Sequence, residues 1–145
     1  MTRVYVDTSA LLSLYQRHSR TEEVEAYCSG AAIVISRLAL VEFRSAILKY
    51  KRRKEITLKQ AREVIEAFRR DLRKYRIVEI NYETWRIAGK LIEKHSPERD
   101  LRSLDAIQIA AALSLPTRKS VHHFVTLDLH AMANVAELEG LNVRP

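Results

Sequence analysis

Four acidic residues stand where an apolar strand or helix would not ordinarily carry charge. They are Asp7, Glu42, Asp105 and Asp128. Asp7 ends the apolar run 4–6 and Asp128 ends the run 124–127, so both fall at the carboxyl end of a predicted strand. Parallel α/β sheets bind ligands at that edge. The pattern therefore predicts a metal site that folding assembles from distant parts of the chain.

Glu42 and Asp105 lie on predicted helices whose neighbouring residues are mostly apolar or small. A buried ionised carboxylate costs several kcal/mol unless it is paired or bound to metal. A metal ligand and a buried ion pair with an arginine explain Glu42 equally well. Asp105 opens a helix so apolar that most of it must be buried, and the helix dipole alone favours an acid there by about 0.3 to 1 kcal/mol.

Taken singly, Asp7 and Asp128 also fit the N-cap of a following helix. Taken together, four carboxylates suit Mg²⁺ or Mn²⁺, since such hard ions take oxygen ligands and substrate phosphates. Carboxylates crowded together without a cation would repel and raise one another's pKa. Two ions about 3.5 to 4 Å apart can activate a water for displacement at phosphorus. The hydroxyls of Thr8, Ser9 and Thr126 lie beside the acids, where they would orient water or cap a turn.

Short β-branched runs alternate with longer helical patterns along the chain. Strands are predicted at 3–7, 32–35, 77–80, 123–127 and 141–143. Helices are predicted at 8–16, 21–28, 37–51, 58–75, 82–94, 101–115 and 129–138. Strands separated by helices of this length need crossover connections, which produce a mainly parallel sheet. The predicted fold is a single α/β domain over residues 1–145, with four to five twisted strands flanked by helices.

Capping residues support these boundaries. Ser36 and Thr57 precede two of the predicted helices and can cap them, and Gly140 follows the last helix as a C-terminal glycine. In the helix before Tyr75, apolar residues recur three and four positions apart at Ala61, Val64, Ile65 and Phe68. This spacing predicts one buried stripe and a basic outer face.

The net charge of +7 is concentrated in one segment. Residues 49–76 contain twelve Lys and Arg against four acids, so the rest of the chain is close to neutral. This segment suits a polyanion, because each neutralised phosphate releases counterions. Charge patterning alone equally fits the solvated faces of two helices.

Composition and motifs exclude several classes of protein. The 145 residues are 47% apolar, which is enough for one core, and the single Cys28 forms neither an internal disulfide nor a Cys-x-x-Cys zinc site. No apolar run approaches the roughly 20 residues that span a bilayer, so we expect no membrane contact and a cytoplasmic protein. No glycine-rich phosphate or dinucleotide loop is present. A haloacid-dehalogenase-like phosphatase would need a second Asp at the position of Ser9.

Five segments, in order and spacing, resemble the PIN-domain family. They are VYVDTSAL at 4–11, SRLALVEF at 36–43, LDAIQIAAA at 104–112, VTLD at 125–128 and a closing GLNV at 140–143. The resemblance covers essentially the whole chain and is strongest to the small VapC-type toxins of prokaryotic toxin-antitoxin pairs. These are single-domain ribonucleases of about this length.

The resemblance implies a central parallel sheet, Mg²⁺- or Mn²⁺-dependent cleavage of RNA, homodimers and inhibition by a VapB-type antitoxin. Carried over to this chain, it makes Asp7, Glu42, Asp105 and Asp128 the catalytic, metal-binding acids. Thr126 is the accompanying hydroxyl, and the basic segment after Glu42 forms an arm that contributes to dimer contacts and the substrate groove. The alternative is a PIN-like module that binds RNA or protein without cleaving, although such a module has no need of four acids in a phosphate groove.

Overall fold

The computed structural model describes all 145 residues and has the predicted α/β fold. Five strands form a parallel sheet in the order β3-β2-β1-β4-β5. The strands are β1 Arg3–Val6, β2 Ala32–Ser36, β3 Arg76–Val78, β4 His123–Val125 and β5 Val143–Arg144. The helices are α1 Thr8–Ser13, α2 Thr21–Cys28, α3 Arg37–Arg52, α4 Leu58–Asp71, α5 Tyr82–His95, α6 Ser103–Leu113 and α7 Ala131–Leu138.

Strand register brings the candidate acids of β1 and β4 to one edge. Val6 pairs with Val125 in these two adjacent central strands, and the Asp7 amide donates to the Val125 carbonyl at 3.1 Å. The residues that follow each strand, Asp7 and Thr126, are therefore neighbours. Both strands end at the same edge of a parallel sheet, as predicted, but the strand predicted at 123–127 ends at Val125, so Asp128 lies in the turn after β4 and not at its end.

The core lies in two layers, one on each face of the sheet. One layer packs Tyr5 and Phe124 against α5, α6 and α7, and these two rings stack with centroids 5.2 Å apart. The other layer packs alternate strand residues against α1, α3 and α4, where Phe43 and Phe68 stack at 4.0 Å. Residues Ala106 to Ala112 of α6 are all buried, as the apolar sequence predicts. Helix α6, which carries Asp105 in its first turn, is therefore held in place by the core along most of its length.

Several predicted element ends differ from the structure by a few residues. The strand predicted at 77–80 is β3 at Arg76–Val78, and the one predicted at 141–143 is β5 at Val143–Arg144. Helix α1 ends at Ser13, three residues early. The last helix begins at Ala131, because the Asp128 carboxylate accepts from the His130 amide at 3.1 Å and closes a turn first. These differences leave the order and type of the main elements unchanged.

The predicted caps and the basic outer face are confirmed. The side chains of Ser36 and Thr57 each accept an amide of the helix that follows, and Thr57 forms a reciprocal capping box with Gln60. Gly140 has the positive φ of +90° expected of a C-terminal glycine. In α4, Ala61 and Phe68 are buried, while the arginines and lysine of the helix are exposed. No helix has the combination of length and apolar character that a membrane span requires.

Candidate active site at the carboxyl edge of the sheet

Asp7 is the most buried of the four candidate acids, with only 2% of its surface exposed. Its Oδ1 accepts from the Ala10 amide at 3.0 Å and from the Ser9 hydroxyl at 2.7 Å, and its Oδ2 accepts from the Thr126 hydroxyl at 2.5 Å. Burial, which is opposed by the three hydrogen bonds and aided by the charge of Asp128, raises the pKa of Asp7 to about 6. Asp7 is therefore the N-cap of α1 and also a carboxylate with a raised pKa.

The hydroxyls of Ser9 and Thr126 connect the end of β1 to the loop after β4. Ser9 Oγ accepts from the Leu127 amide at 3.0 Å, and Thr126 Oγ1 accepts from the Asp128 amide at 3.0 Å. Each hydroxyl also donates to Asp7. The two hydroxyls therefore fix the backbone that carries Asp128 relative to Asp7, which is a more specific role than the capping function predicted for them.

Glu42 lies on α3, half-buried, within a network of neutral donors. Its Oε1 accepts from the Thr8 hydroxyl at 2.8 Å and from Gln108 Nε2 at 2.7 Å. Gln108 Oε1 in turn accepts from the hydroxyls of Ser36, at 3.2 Å, and Tyr5. No arginine or lysine pairs with Glu42, so the buried ion pair considered for it is not the explanation.

Asp105 and Asp128 line one cleft of 530 Å³. Asp105, half-buried in the first turn of α6, accepts from the Arg102 amide at 3.3 Å. Burial raises the pKa of Asp105, and the nearby charges of Asp128 and Glu42 raise it further. The other lining residues include two cations and two polar groups, namely Arg99, Arg102, His130 and Asn134. The cleft therefore combines mutually repelling carboxylates with guanidinium groups.

The four acids converge on this edge as neighbours, but they do not form one cluster. No three His, Cys, Asp or Glu side chains stand close enough together to hold a metal ion. Asp105 and Asp128 face the cleft, Asp7 lies behind Thr126, and Glu42 is held by Thr8 and Gln108. Oxygen donors in this arrangement fit Mg²⁺, which is ordinarily bound through one or two carboxylates plus waters and substrate phosphates.

Two features of the site were missed by the sequence interpretation. The sequence predicts only an apolar helix around Gln108, yet the Gln108 amide connects Tyr5, Ser36, Thr8 and Glu42. A single amide in an otherwise apolar helix was the available signal, because a buried amide must be hydrogen-bonded. The second feature is the pair of arginines, Arg99 and Arg102, in the cleft. Only the tertiary fold shows their position, since they occupy a connection between helices.

Comparison with known proteins agrees with the fold. The family model described as PIN domain matches residues 4–137. No curated protein matches the sequence. Mycobacterium tuberculosis VapC20, described as a sarcin-ricin loop cleaving toxin, is 18% identical with a TM-score of 0.69, covering 98% of this chain and 99% of its own.

Two complexes are also similar. FitAcB from Neisseria gonorrhoeae is 16% identical with a TM-score of 0.72, covering 97% of this chain and 95% of its own. VapBC2 from Rickettsia felis is described as bound to a DNA fragment from their promoter. It is 16% identical with a TM-score of 0.64, covering 98% of this chain and 97% of its own. At these identities the structures show a shared fold. The match of the family model over nearly the whole chain shows more: this protein belongs to the PIN-domain family.

Proposed function

We propose that this protein is a metal-dependent endoribonuclease that hydrolyses RNA phosphodiester bonds and acts as the toxin of a toxin-antitoxin pair. The observation that carries the proposal is the pair Asp105 and Asp128 in one cleft, with Asp7 directly behind them. Membership of the PIN-domain family and the fold shared with VapC20, which is described as a sarcin-ricin loop cleaving toxin, support it.

In the proposed site, Asp7, Glu42, Asp105 and Asp128 would hold Mg²⁺ or Mn²⁺, with Asp105 and Asp128 facing the cleft. The bound ion supplies charge stabilisation and a more acidic water for attack at phosphorus. Thr126 and Ser9 hold Asp7 and the Asp128 backbone in register, while Thr8 and Gln108 fix Glu42. These neutral donors orient the carboxylates without neutralising them, so their charge stays available for a cation.

The two arginines of the cleft suit the negative charge of the substrate. Arg102 is exposed and forms no ion pair, and Arg99 contacts only the exposed Glu98, at 3.7 Å. A planar guanidinium binds two phosphate oxygens at once. Arg99 and Arg102 therefore hold the RNA phosphates next to the scissile bond, opposite the carboxylates.

The proposed partners are an RNA substrate, a VapB-type antitoxin and a second copy of this chain in a homodimer. The antitoxin is supported by the similar folds of the FitAcB and VapBC2 complexes. The basic segment 49–76 supports a polyanion partner, since ten of its twelve cations form no ion pair. Two hypotheses fit this fold, a metal-dependent nuclease and a module that only binds. RNA cleavage distinguishes them, because only the nuclease would cut the RNA.

The test is cleavage of cellular RNA by the purified protein with Mg²⁺ or Mn²⁺, compared with EDTA. Asp7→Asn removes one candidate ligand charge and should abolish cleavage while the protein remains folded. Asp71→Asn makes the same chemical change far from the cleft, where Asp71 pairs with Lys74, and should cut normally. The nuclease proposal would be refuted if wild-type protein, free of any co-purified inhibitor, bound RNA without cutting it. That result would favour the binding module.

A further inference from the structure

A second cavity lies toward the amino ends of the strands, on the side of the sheet away from the four acids. It has a volume of 180 Å³ and lies between β1, β2, β3 and the connection from α6 to β4. Its lining consists of three cations, Arg3, Arg76 and Lys119, and four apolar residues, Val34, Ile77, Val78 and Leu115. No acid lines it, in contrast to the carboxylate cleft at the other edge.

The three cations have no acidic partner anywhere in the structure. Like charges that face one small space repel each other, and the repulsion is stronger where one side of the space is apolar protein. An anion in the cavity would convert that repulsion into attraction. The arrangement mirrors the acid cleft, where crowded carboxylates call for a cation.

Arg3 is held in place before any ligand binds. Its Nε donates to the Ser120 carbonyl at 2.9 Å, and its Nη2 donates to the Arg118 carbonyl at 3.3 Å. Nη1 and the second proton of Nη2 form no hydrogen bond in the structure and are free to donate. A guanidinium whose rotamer is already fixed loses little entropy on binding an oxyanion.

The apolar residues of the cavity limit what kind of anion fits. Val34 is 3% exposed, and the other three apolar residues are half-buried, so they present an apolar surface beside the charged groups. The volume is below the roughly 300 to 1,000 Å³ of sites for drug-sized ligands. A phosphate group among the cations, with an uncharged sugar edge against Val34 and Leu115, matches both the charge and the apolar surface.

We propose that this cavity is a nucleotide-phosphate site, in which Arg3, Arg76 and Lys119 bind a phosphate and the apolar residues contact its sugar. Arg76 is also the last cation of the basic segment 49–76, so a phosphate here continues that surface. The phosphate belongs either to a free nucleotide or to one nucleotide of a longer RNA. The site is independent of the proposed cleavage and of its metal.

The experiment measures binding of five probes to the protein in EDTA by isothermal titration calorimetry. The probes are inorganic phosphate, adenosine monophosphate, adenosine and a short single-stranded RNA with and without a terminal phosphate. Adenosine should not bind. Adenosine monophosphate binding with no gain for RNA assigns a free nucleotide, whereas tighter RNA binding that depends on the same residues assigns a nucleotide of RNA.

Arg76→Gln and Lys119→Gln test the site itself, since both side chains are exposed and their loss should not unfold the protein. Each should weaken phosphate-dependent binding by about tenfold, the effect of one lost charge-assisted hydrogen bond. Lys90→Gln is the matched control, because it removes an exposed cation of α5 that forms no ion pair and lies outside the basic segment 49–76, the cavity and the acid cleft. It should leave nucleotide binding unchanged.

Equal weakening by Lys90→Gln and Lys119→Gln would show general attraction to a basic protein and overturn the proposal. Failure of every phosphate-bearing probe to bind would overturn it as well. Binding in EDTA that survives in Arg102→Gln separates this site from the acid cleft, because Arg102 is one of the two cleft arginines proposed to hold RNA phosphates. A protein that binds adenosine monophosphate here but cuts no RNA would therefore refute the proposed nuclease and leave this site standing.

Discussion

Replacing Asp7 with Asn should stabilise the metal-free protein at neutral pH. Burial raises the pKa of Asp7 to about 6 in the folded state, about two units above its value in an unfolded chain. Because the folded protein holds that proton more tightly, ionisation of Asp7 disfavours folding by about 3 kcal/mol. The penalty is complete above pH 6, shrinks as the pH falls and vanishes below about pH 4. Asn at this position has no such penalty, because its amide does not ionise.

Part of that gain is offset by a changed hydrogen bond. The amide oxygen of Asn can still accept from the Ala10 amide and the Ser9 hydroxyl, and Asn caps helices as well as Asp does. The amide nitrogen would instead face Thr126, whose hydroxyl must turn to accept, at a cost of about 1 kcal/mol. The net gain is about 2 kcal/mol, or roughly 4 to 8 °C in Tm for a chain of this size.

The assay is urea unfolding followed by circular dichroism in EDTA, at pH 8 and again near pH 4.5. Asp7→Asn should be the more stable protein at pH 8, and its advantage should shrink at the lower pH. Mg²⁺ at one hundred times the Kd should stabilise only the wild type, by about 2.7 kcal/mol, which would reverse the order and leave the wild type about 0.7 kcal/mol more stable. The reasoning would be refuted if Asp7→Asn were less stable than the wild type at pH 8. It would also be refuted if the difference in the free energy of unfolding were the same at both pH values.

Three further predictions test other parts of the site and core. Gln108→Leu should lower the free energy of unfolding by about 3 kcal/mol in urea, because it leaves the buried Tyr5 hydroxyl without an acceptor; an unchanged midpoint would contradict the network. Asp128→Asn should abolish any Mg²⁺-induced rise in Tm, measured by differential scanning fluorimetry, and a retained rise would remove Asp128 from the ligand set. Phe68→Ala, which removes the ring stacked on Phe43, should cost about 3 to 5 kcal/mol by urea unfolding; a loss below 1 kcal/mol would show that the core collapses around it.

The sequence predicted where Asp7 and Asp128 would lie because that inference needs only local information. Each follows a short apolar run, and parallel strands deliver their carboxyl ends to one edge. Helix caps at Ser36 and Thr57 are local in the same sense, since one side chain bonds an amide three residues away. Features that depend on fewer than about five consecutive residues were therefore predictable.

The environment of each acid was not predictable, because it depends on contacts between distant residues. The Gln108 amide reaches Glu42 across 66 positions, and the Thr126 hydroxyl reaches Asp7 across 119. Whether a carboxylate on an apolar helix face meets an arginine or an amide cannot be read from periodicity. The apolar face around Glu42 predicted burial, but only the fold shows that its partners are neutral.

The choice of those partners argues for a cation at this edge. Eight other acids of the chain form ion pairs with Lys, Arg or His, and the remaining six are unpaired but exposed. Asp7, Glu42, Asp105 and Asp128 are buried or half-buried and also form no ion pair. In a protein with seven more positive than negative charges, four neighbouring acids without a single ion pair are unexpected on electrostatic grounds alone. Hydroxyl and amide donors hold their geometry while leaving the negative charge uncompensated. A fold that needed these acids only for stability would gain from pairing them, so their charge is better explained by a ligand that binds it.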